Sequence, residues 1–201
     1  MSKVFSISRE YGSGGHDVVE ALCSILEIPY YDRKIVEKEL VRQGFPEGFA
    51  DVADDYKNSK VYFYGSEIIN RFEGMSAKEI SFELEKDMIH RVADEGDCII
   101  LDRCAKEILE DSDHQVANIF ISASYEYRLK RIMEREGLTE KKAAALMKRE
   151  EKRRKEYYEY HTGKNWGVAS SYDVCINAES MGLRAVCAIL VEAYGKFERT
   201  F

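Results

Sequence analysis

The chain has 201 residues, of which 45% are hydrophobic and 33% are charged, which is typical of a globular protein in water. This length suits one domain, or one domain with an inserted lid. The formal net charge of −7 argues against general binding of nucleic-acid polymers. No apolar run approaches the roughly 20 residues that cross a membrane, and the N-terminus has no signal-peptide pattern, so we expect a cytoplasmic protein.

The cysteines and histidines show no spacing that is typical of a metal site. None of the five cysteines forms a C-x-x-C pair, and the four histidines are scattered along the chain. Most of the cysteines lie in apolar runs, where a free thiol behaves as a small hydrophobic side chain. We therefore expect reduced, structural cysteines and no zinc site.

The start of the chain is predicted to form a strand, a glycine-rich turn and a helix. An apolar run at 3–7 precedes the stretch SREYGSGGHD at 8–17, and apolar residues of 18–26 recur at helical spacing. Such glycines let backbone N–H groups turn towards a bulky anion, and the helix adds its positive N-terminal end. The pattern predicts a phosphate-binding loop, with a tight turn that binds no ligand as the alternative. We assign phosphate or nucleotide contacts to Arg9, Gly12, Ser13, Gly14, Gly15, His16 and Asp17.

Strands and helices alternate along the rest of the chain. Further strands are predicted at 28–31, 98–101, 116–122 and 172–177. Helices are predicted at 34–41, 77–95, 105–110, 125–136, 139–155 and 183–197. Asp32 and Ser124 suit helix N-caps, and Ser76 with Glu79 forms a capping-box pattern. The alternation predicts an α/β fold with a five-stranded parallel sheet and right-handed crossovers.

Two Asp-Arg pairs follow predicted strands, at Asp32-Arg33 and at Asp102-Arg103. Ligands bind at the carboxyl ends of parallel strands, so we expect both pairs near a ligand, although helix caps and exposed arginines also produce such pairs. Four apolar residues before Asp102 give the strand a form that holds Mg²⁺ in many P-loop enzymes. Asp102 is therefore a candidate magnesium partner, or alternatively a carboxylate that pairs with an arginine.

Residues 128–155 are strongly basic, with 12 Lys and Arg against 5 Glu. A solvated helix face held by ion pairs is one interpretation. The other is a mobile lid whose arginines close over a polyphosphate and neutralise charge during phosphoryl transfer. The excess of positive charge favours the lid, and we assign catalytic roles to Arg128, Arg149, Arg153 and Arg154.

Several stretches together resemble the cytidylate kinase-like family of P-loop nucleotide kinases. They are 7–15, 29–33, 102–105 with 108–109, and a tail pattern at 152–154, 157–158, 162–164, 166–167 and 172–173. The resemblance covers nearly the whole chain. It implies the P-loop NTPase or nucleotide kinase fold as a single domain over 1–201, with a five-stranded parallel sheet flanked by helices. It also implies a monophosphate-binding segment at about 32–75 and a helical, arginine-rich lid at about 137–170.

The resemblance implies transfer of a phosphoryl group from ATP, with Mg²⁺, to a nucleoside monophosphate such as CMP or dCMP, or to a similar small phosphorylated acceptor. Arg103 and Arg128 match arginines that grip the monophosphate. Glu151 and Arg154 match the acidic residue and the arginine of the lid, with Glu in place of the usual Asp. Members of the family usually have glycine at position 102. The implied acceptor-binding residues are Asp32, Arg33, Arg103 and Glu151.

The glycine loop departs from the full phosphate loop, G-x-x-x-x-G-K-[ST], in which the lysine contacts the β- and γ-phosphates and the hydroxyl contacts Mg²⁺. Arg9 stands for the first glycine, Gly15 for the lysine and His16 for the hydroxyl residue, with Asp17 next. The missing charge could come from Arg9, from His16 or from a lid arginine.

Other functions remain open from the sequence. A non-catalytic protein that binds a nucleotide or phospho-ligand is the main alternative to a nucleotide kinase. A dinucleotide-binding oxidoreductase fits less well, because the G-x-G-x-x-G spacing fails at Asp17. The aromatic residues at 56–72 and 157–166 could stack on a base or fill the core. The acceptor base and the oligomeric state are not specified.

Overall fold

The described strands form one five-stranded parallel sheet. A computed structural model describes residues 1–42, 44–49 and 74–196. The strands are β1 (Lys3–Arg9), β2 (Tyr30–Tyr31), β3 (Cys98–Leu101), β4 (Gln115–Ser122) and β5 (Val174–Asn177). Their order is β2-β3-β1-β4-β5, and each neighbouring pair is parallel. Since β1 is central, the turn that follows it lies in the middle of the carboxyl edge of the sheet.

Three of the described helices begin at the caps that the sequence predicts. They are α1 (Gly15–Leu26), α2 (Arg33–Arg42), α3 (Ala77–Glu95), α4 (Ala105–Ile108), α5 (Tyr125–Glu136), α6 (Glu140–Thr162) and α7 (Ala178–Lys196), with a 3₁₀ turn at Ala169–Ser171. Ser76 and Glu79 form the reciprocal capping box before α3, and the Ser124 hydroxyl accepts from the Tyr127 amide. The Asp32 carboxylate accepts from the amides of Lys34 and Ile35. None of the described helices has the length and apolar character of a membrane-spanning helix.

The core lies on both faces of the sheet, because side chains alternate along each strand. Val4 and Ile100 belong to one cluster, which also contains buried residues of α2 and α3. Phe5 and Ile99 belong to the other, with buried residues of α1 and α7. The continuous burial of β3, predicted from its unbroken apolar run, is confirmed.

Several predicted boundaries differ from the structure. Helix α6 continues to Thr162 because Tyr157 and Tyr158 are buried in an aromatic cluster with Phe120 and Tyr172. Helix α7 begins at Ala178 and is interrupted at Gly182, whose φ of 73° is not helical. Strand β5 starts at Val174, and β2 has two residues. The aromatic residues at 56–72 and part of the predicted monophosphate-binding segment at 32–75 lie outside the described residues.

We expect Gly12→Ala to destabilise the fold more than a matched glycine substitution. Both Gly12 and Gly163 have positive φ, at 87° and 67°, and a left-handed backbone costs a residue with a Cβ about 1–2 kcal/mol. An added Cβ at position 12 would also lie 2.9 Å from the Arg128 carbonyl oxygen, whereas nothing lies within 4 Å at Gly163. Overpacking of this kind adds about 1–3 kcal/mol.

Urea unfolding of the wild type, Gly12→Ala and Gly163→Ala measures this difference in the free energy of unfolding. Equal losses in the two variants would show that the carbonyl of Arg128 moves aside without cost.

Candidate active site

The turn between β1 and α1 presents the backbone of the glycine loop at the carboxyl edge of the sheet. The Glu10 amide donates to the Ile121 carbonyl, which extends the pairing of β1 with β4 beyond the end of the strand. Gly14 is the N-cap of α1 with φ of 89°, and it has no side chain to cover the first amides of the helix. Ser13 is 1% exposed, and within the described ranges its hydroxyl oxygen has no hydrogen-bond partner. A helix N-terminus of this kind attracts an anion.

The Arg9 side chain lies across Gly15. A Cβ added to Gly15 would be 2.6 Å from Cδ of Arg9 and 2.9 Å from its Cβ, so the arginine stem occupies the space in which any side chain at position 15 would begin. The guanidinium Nη1 of Arg9 lies 2.7 Å from Oδ2 of Asp102. Arg9 and Gly15, which both depart from the phosphate-loop pattern, are in contact.

Asp102 follows β3 and binds two arginines. Its Oδ2 accepts from Arg9 and lies 3.4 Å from Nε of Arg154, whose Nη1 donates to the Arg9 carbonyl at 2.7 Å. Burial lowers the pKa of Arg154 to about 10, and the Asp102 charge opposes this effect. Asp102 has φ of 57°, in the left-handed region that favours glycine. This backbone is consistent with the glycine that the resemblance implies at this position.

Asp102 also bears on the candidate magnesium site. Oδ1 of Asp102 is buried and has no hydrogen-bond partner in the described part of the chain. This free oxygen fits one ligand position of Mg²⁺, directly or through water, with donor phosphates supplying others. Among the described residues there is no cluster of three or more His, Cys, Asp or Glu side chains that could hold a metal ion.

Arg103 points into a buried ion pair. Its Nη1 lies 2.9 Å from Oε1 of Glu85, and the two side chains are 4% and 1% exposed. The other oxygen of Glu85 accepts from the Tyr157 hydroxyl, and the Tyr157 ring lies 4.8 Å from the Arg103 guanidinium carbon. Burial raises the pKa of Tyr157, and the Glu85 charge raises it further, so the phenol remains a proton donor to this carboxylate. Helix α6 is thereby joined to α3 and to the end of β3.

These residues surround a cleft of about 210 Å³ at the carboxyl edge of the sheet. Leu101 and Tyr157 provide apolar walls. The remaining lining residues are six cations and two carboxylates: Arg9, Arg33, Lys34, Arg103, Arg153, Arg154, Asp32 and Asp102. The excess of positive charge favours an anionic ligand.

Arg128 and Glu151 form a second cluster beside the glycine loop. Arg128 is buried, and its Nε donates to the Ala123 carbonyl at 3.1 Å and lies 3.5 Å from Oε2 of Glu10. Its Nη1 pairs with Glu151 of α6. Burial raises the pKa of the Glu151 carboxyl, and the Arg128 charge opposes the rise. Neither Arg128 nor Glu151 lines the cleft described above.

The remaining predicted site residues have other partners. His16 lies 3.4 Å from Glu20, and Asp17 pairs with Arg131 at 2.6 Å. Arg149 is 72% exposed and pairs with Glu150. Arg153 pairs with the same glutamate at 3.2 Å while also lining the cleft.

Several residues around the cleft and the glycine loop were not assigned from the sequence, among them Lys34 of the cleft lining. Glu10 lies inside the glycine-loop stretch, but it has no place in the phosphate-loop pattern. Glu85 is the clearest omission, because a carboxylate within the apolar face of α3 requires a buried partner and so signals an ion pair. Tyr157 was considered only as an aromatic residue of the core or of a base-stacking surface.

Comparison with solved structures shows the fold. An uncharacterized protein from Eubacterium ventriosum ATCC 27560 is 24% identical, with a TM-score of 0.73 over 97% of this chain and 99% of that chain. A gluconokinase from Sinorhizobium meliloti 1021 is 10% identical, with a TM-score of 0.55 over 96% and 92%. A shikimate kinase from Bacteroides thetaiotaomicron is 12% identical, with a TM-score of 0.51 over 96% and 98%. These similarities support the P-loop kinase fold that the sequence predicts.

The family follows from the sequence comparison. No curated protein matches this chain. The model of the cytidylate kinase-like family, by contrast, matches residues 4–180, which is most of the chain. The protein therefore belongs to the cytidylate kinase-like family and has the fold of the P-loop kinases.

Proposed function

We propose that this protein transfers a phosphoryl group from ATP to a nucleoside monophosphate such as CMP or dCMP, or to a similar small phosphorylated acceptor. The observation that carries the proposal is the cationic cleft beside the glycine loop, in a chain of a kinase-like family. The cleft has six cations against two carboxylates, and this excess of positive charge suits the phosphates of a donor and a phosphorylated acceptor. The cytoplasm, which supplies both substrates, is the expected location.

The donor phosphates would bind at the glycine loop. The first amides of α1 and the buried hydroxyl of Ser13 offer donors to phosphate oxygens. Asp102 would hold Mg²⁺ through its free oxygen. When bound, Mg²⁺ would neutralise charge on the donor phosphates.

The acceptor would bind in the cleft, where Arg103 and Arg33 would meet its phosphate. Glu85 holds the Arg103 guanidinium in one orientation, so little entropy is lost when the acceptor binds. Asp32 is held by the amides at the start of α2 and would accept from a hydroxyl of the acceptor. Arg153 and Arg154 would approach the transferring group from α6.

The reaction is an in-line displacement at phosphorus. An oxygen of the acceptor phosphate forms a bond to the γ-phosphorus of ATP, and the bond from that phosphorus to the β,γ-bridging oxygen breaks. The bridging oxygen keeps the electron pair and leaves with ADP. Because the acceptor oxygen is already ionised, the protein provides position and positive charge, with no base and no covalent intermediate.

Binding without catalysis is the second candidate function. It is favoured by Gly15, which leaves the loop without the usual lysine, and by the pairing of Asp17 with Arg131. This candidate shares the cationic cleft and differs only in turnover.

Steady-state assays with Mg-ATP and CMP, dCMP, UMP or AMP distinguish the two functions. We expect ADP formation that depends on the acceptor, with the lowest KM for a cytidine nucleotide. Reactions without an acceptor correct for ATP hydrolysis. Calorimetric binding of ATP without turnover of any of the four acceptors would favour the non-catalytic function and argue against a nucleoside monophosphate kinase.

We expect Arg103→Lys to raise the KM for the acceptor while leaving the KM for ATP near its wild-type value. Lysine keeps the positive charge but loses the planar fork that binds a phosphate with two hydrogen bonds. One lost hydrogen bond to a charged group is worth about 1.5–3 kcal/mol, or roughly a 10- to 100-fold change in KM.

Arg184→Lys is the matched control, because this arginine is exposed on α7. Thermal unfolding of both variants checks whether a weaker pair between residue 103 and Glu85 causes a general loss of structure. If Arg103→Lys has the wild-type KM for the acceptor, Arg103 does not contact the acceptor.

A further inference from the structure

Compared with the phosphate-loop pattern, the glycine and the cation at the two ends of this loop have changed places. The phosphate-loop pattern has glycine at its first position and lysine directly after its last glycine. In this chain, the first position is Arg9, and the residue after Gly14 is Gly15. A cation has therefore been lost at one end of the loop and another has been gained at the other end.

The structure shows that these two changes depend on each other. The Arg9 stem crosses the loop and lies on Gly15, where an added Cβ would be 2.6 Å from Cδ of Arg9. Since contacts below 3.0 Å do not occur for real Cβ atoms, Arg9 in this position requires glycine at position 15. Conversely, the absence of a side chain at position 15 opens the path along which Arg9 reaches the cleft.

Asp102 holds the Arg9 guanidinium in place by accepting from one of its N–H donors. Its Nη1 donates to Asp102 at 2.7 Å, and its side chain is 15% exposed at the wall of the cleft. Arginine has five N–H donors, so one bond to a carboxylate leaves others for phosphate oxygens. Asp102 also faces Arg154, so one negative charge is shared by two positive ones.

The other cations near the loop have different partners, including Arg131, which lies beside Gly14 and pairs with Asp17 at 2.6 Å. His16 lies 3.4 Å from Glu20 and packs edge-on against the Tyr30 ring. Arg154 donates to the Arg9 carbonyl, which fixes the end of β1. Arg149 is exposed beside Glu150.

We propose that Arg9 replaces the phosphate-loop lysine and contacts the β- and γ-phosphates of the donor, with Asp102 as its positioning residue. This inference rests on the proposed function, because it assumes a triphosphate at the glycine loop. It identifies the donor-side cation and makes Gly15 a requirement of the site.

Four proteins test the exchange: the wild type, Arg9→Gln, Gly15→Lys, and the double variant Arg9→Gly with Gly15→Lys. Calorimetry with Mg-ATP and with inorganic tripolyphosphate measures binding, and acceptor-dependent ADP formation measures turnover. Arg184→Gln controls for the loss of one positive charge from an exposed site.

We expect Arg9→Gln to weaken tripolyphosphate binding at least about tenfold and to lower kcat on the order of 100-fold, as for other preorganised donors to transition-state charge. Gly15→Lys alone should be impaired, because its side chain collides with Arg9. The double variant has the usual arrangement of glycine and lysine, so it should bind tripolyphosphate more tightly than Arg9→Gln and recover part of the turnover.

Two results would overturn the inference. One is a folded Arg9→Gln protein with wild-type binding of tripolyphosphate. The other is a folded double variant that binds no better than Arg9→Gln. If the wild type binds tripolyphosphate through Arg9 but turns over no acceptor, the proposed kinase function fails while the role of Arg9 stands. A wild type that binds neither ATP nor tripolyphosphate overturns both.

Discussion

The candidate site depends on the ion pairs that the Asp102 carboxylate forms with Arg9 and Arg154. The carboxylate joins the end of β3 to the end of β1 through Arg9 and to helix α6 through Arg154. Its left-handed backbone costs on the order of 1–2 kcal/mol, so the surrounding contacts must hold it in place. Two guanidinium groups around one carboxylate still repel each other, and a bound polyphosphate would relieve that repulsion. Local strain and unbalanced charge thus occur together at the edge of the sheet where the glycine loop lies.

Helix α6 connects this carboxylate to the rest of the protein. Its N-terminal half packs on α5 through Ala143 and Met147, and its C-terminal half is held by Tyr157 and Tyr158. Arg153 and Arg154, which line the cleft, therefore extend from a helix that is anchored at both ends. A closing motion of the predicted lid would have to carry α5 with α6, or separate one of these two clusters.

Much of the fold was predictable because local signals and burial agree. The capping box at Ser76, the cap at Ser124 and the apolar run of β3 specify the same elements in the sequence and in the structure. The extent of α6 was not predictable from its charges, because burial of Tyr157 and Tyr158 extends a helix that its polar composition would end earlier. Tertiary packing commonly overrides local propensity in this way.

The site was predictable in part. Strand ends suggested a ligand near both Asp-Arg pairs, and Asp32, Asp102 and Arg103 do line one cleft, because parallel strands end at a common edge. The separation of Arg128 and Glu151 from this cleft could not be deduced, since helical spacing does not say what packs against an arginine. The partnership of Glu85 with Arg103 also spans two elements, and only the three-dimensional packing of α3 against the end of β3 reveals it.

The contact between Arg9 and Gly15 also restricts how such a loop can evolve. If the ancestral loop had glycine first and lysine last, a change at either position alone leads to an unfavourable intermediate. An arginine gained first would collide with the side chain at position 15, and a lysine lost first would leave the loop without its cation. Intermediates between the two arrangements are therefore disfavoured. Relatives should have either glycine at position 9 with lysine at position 15, or arginine at position 9 with glycine at position 15.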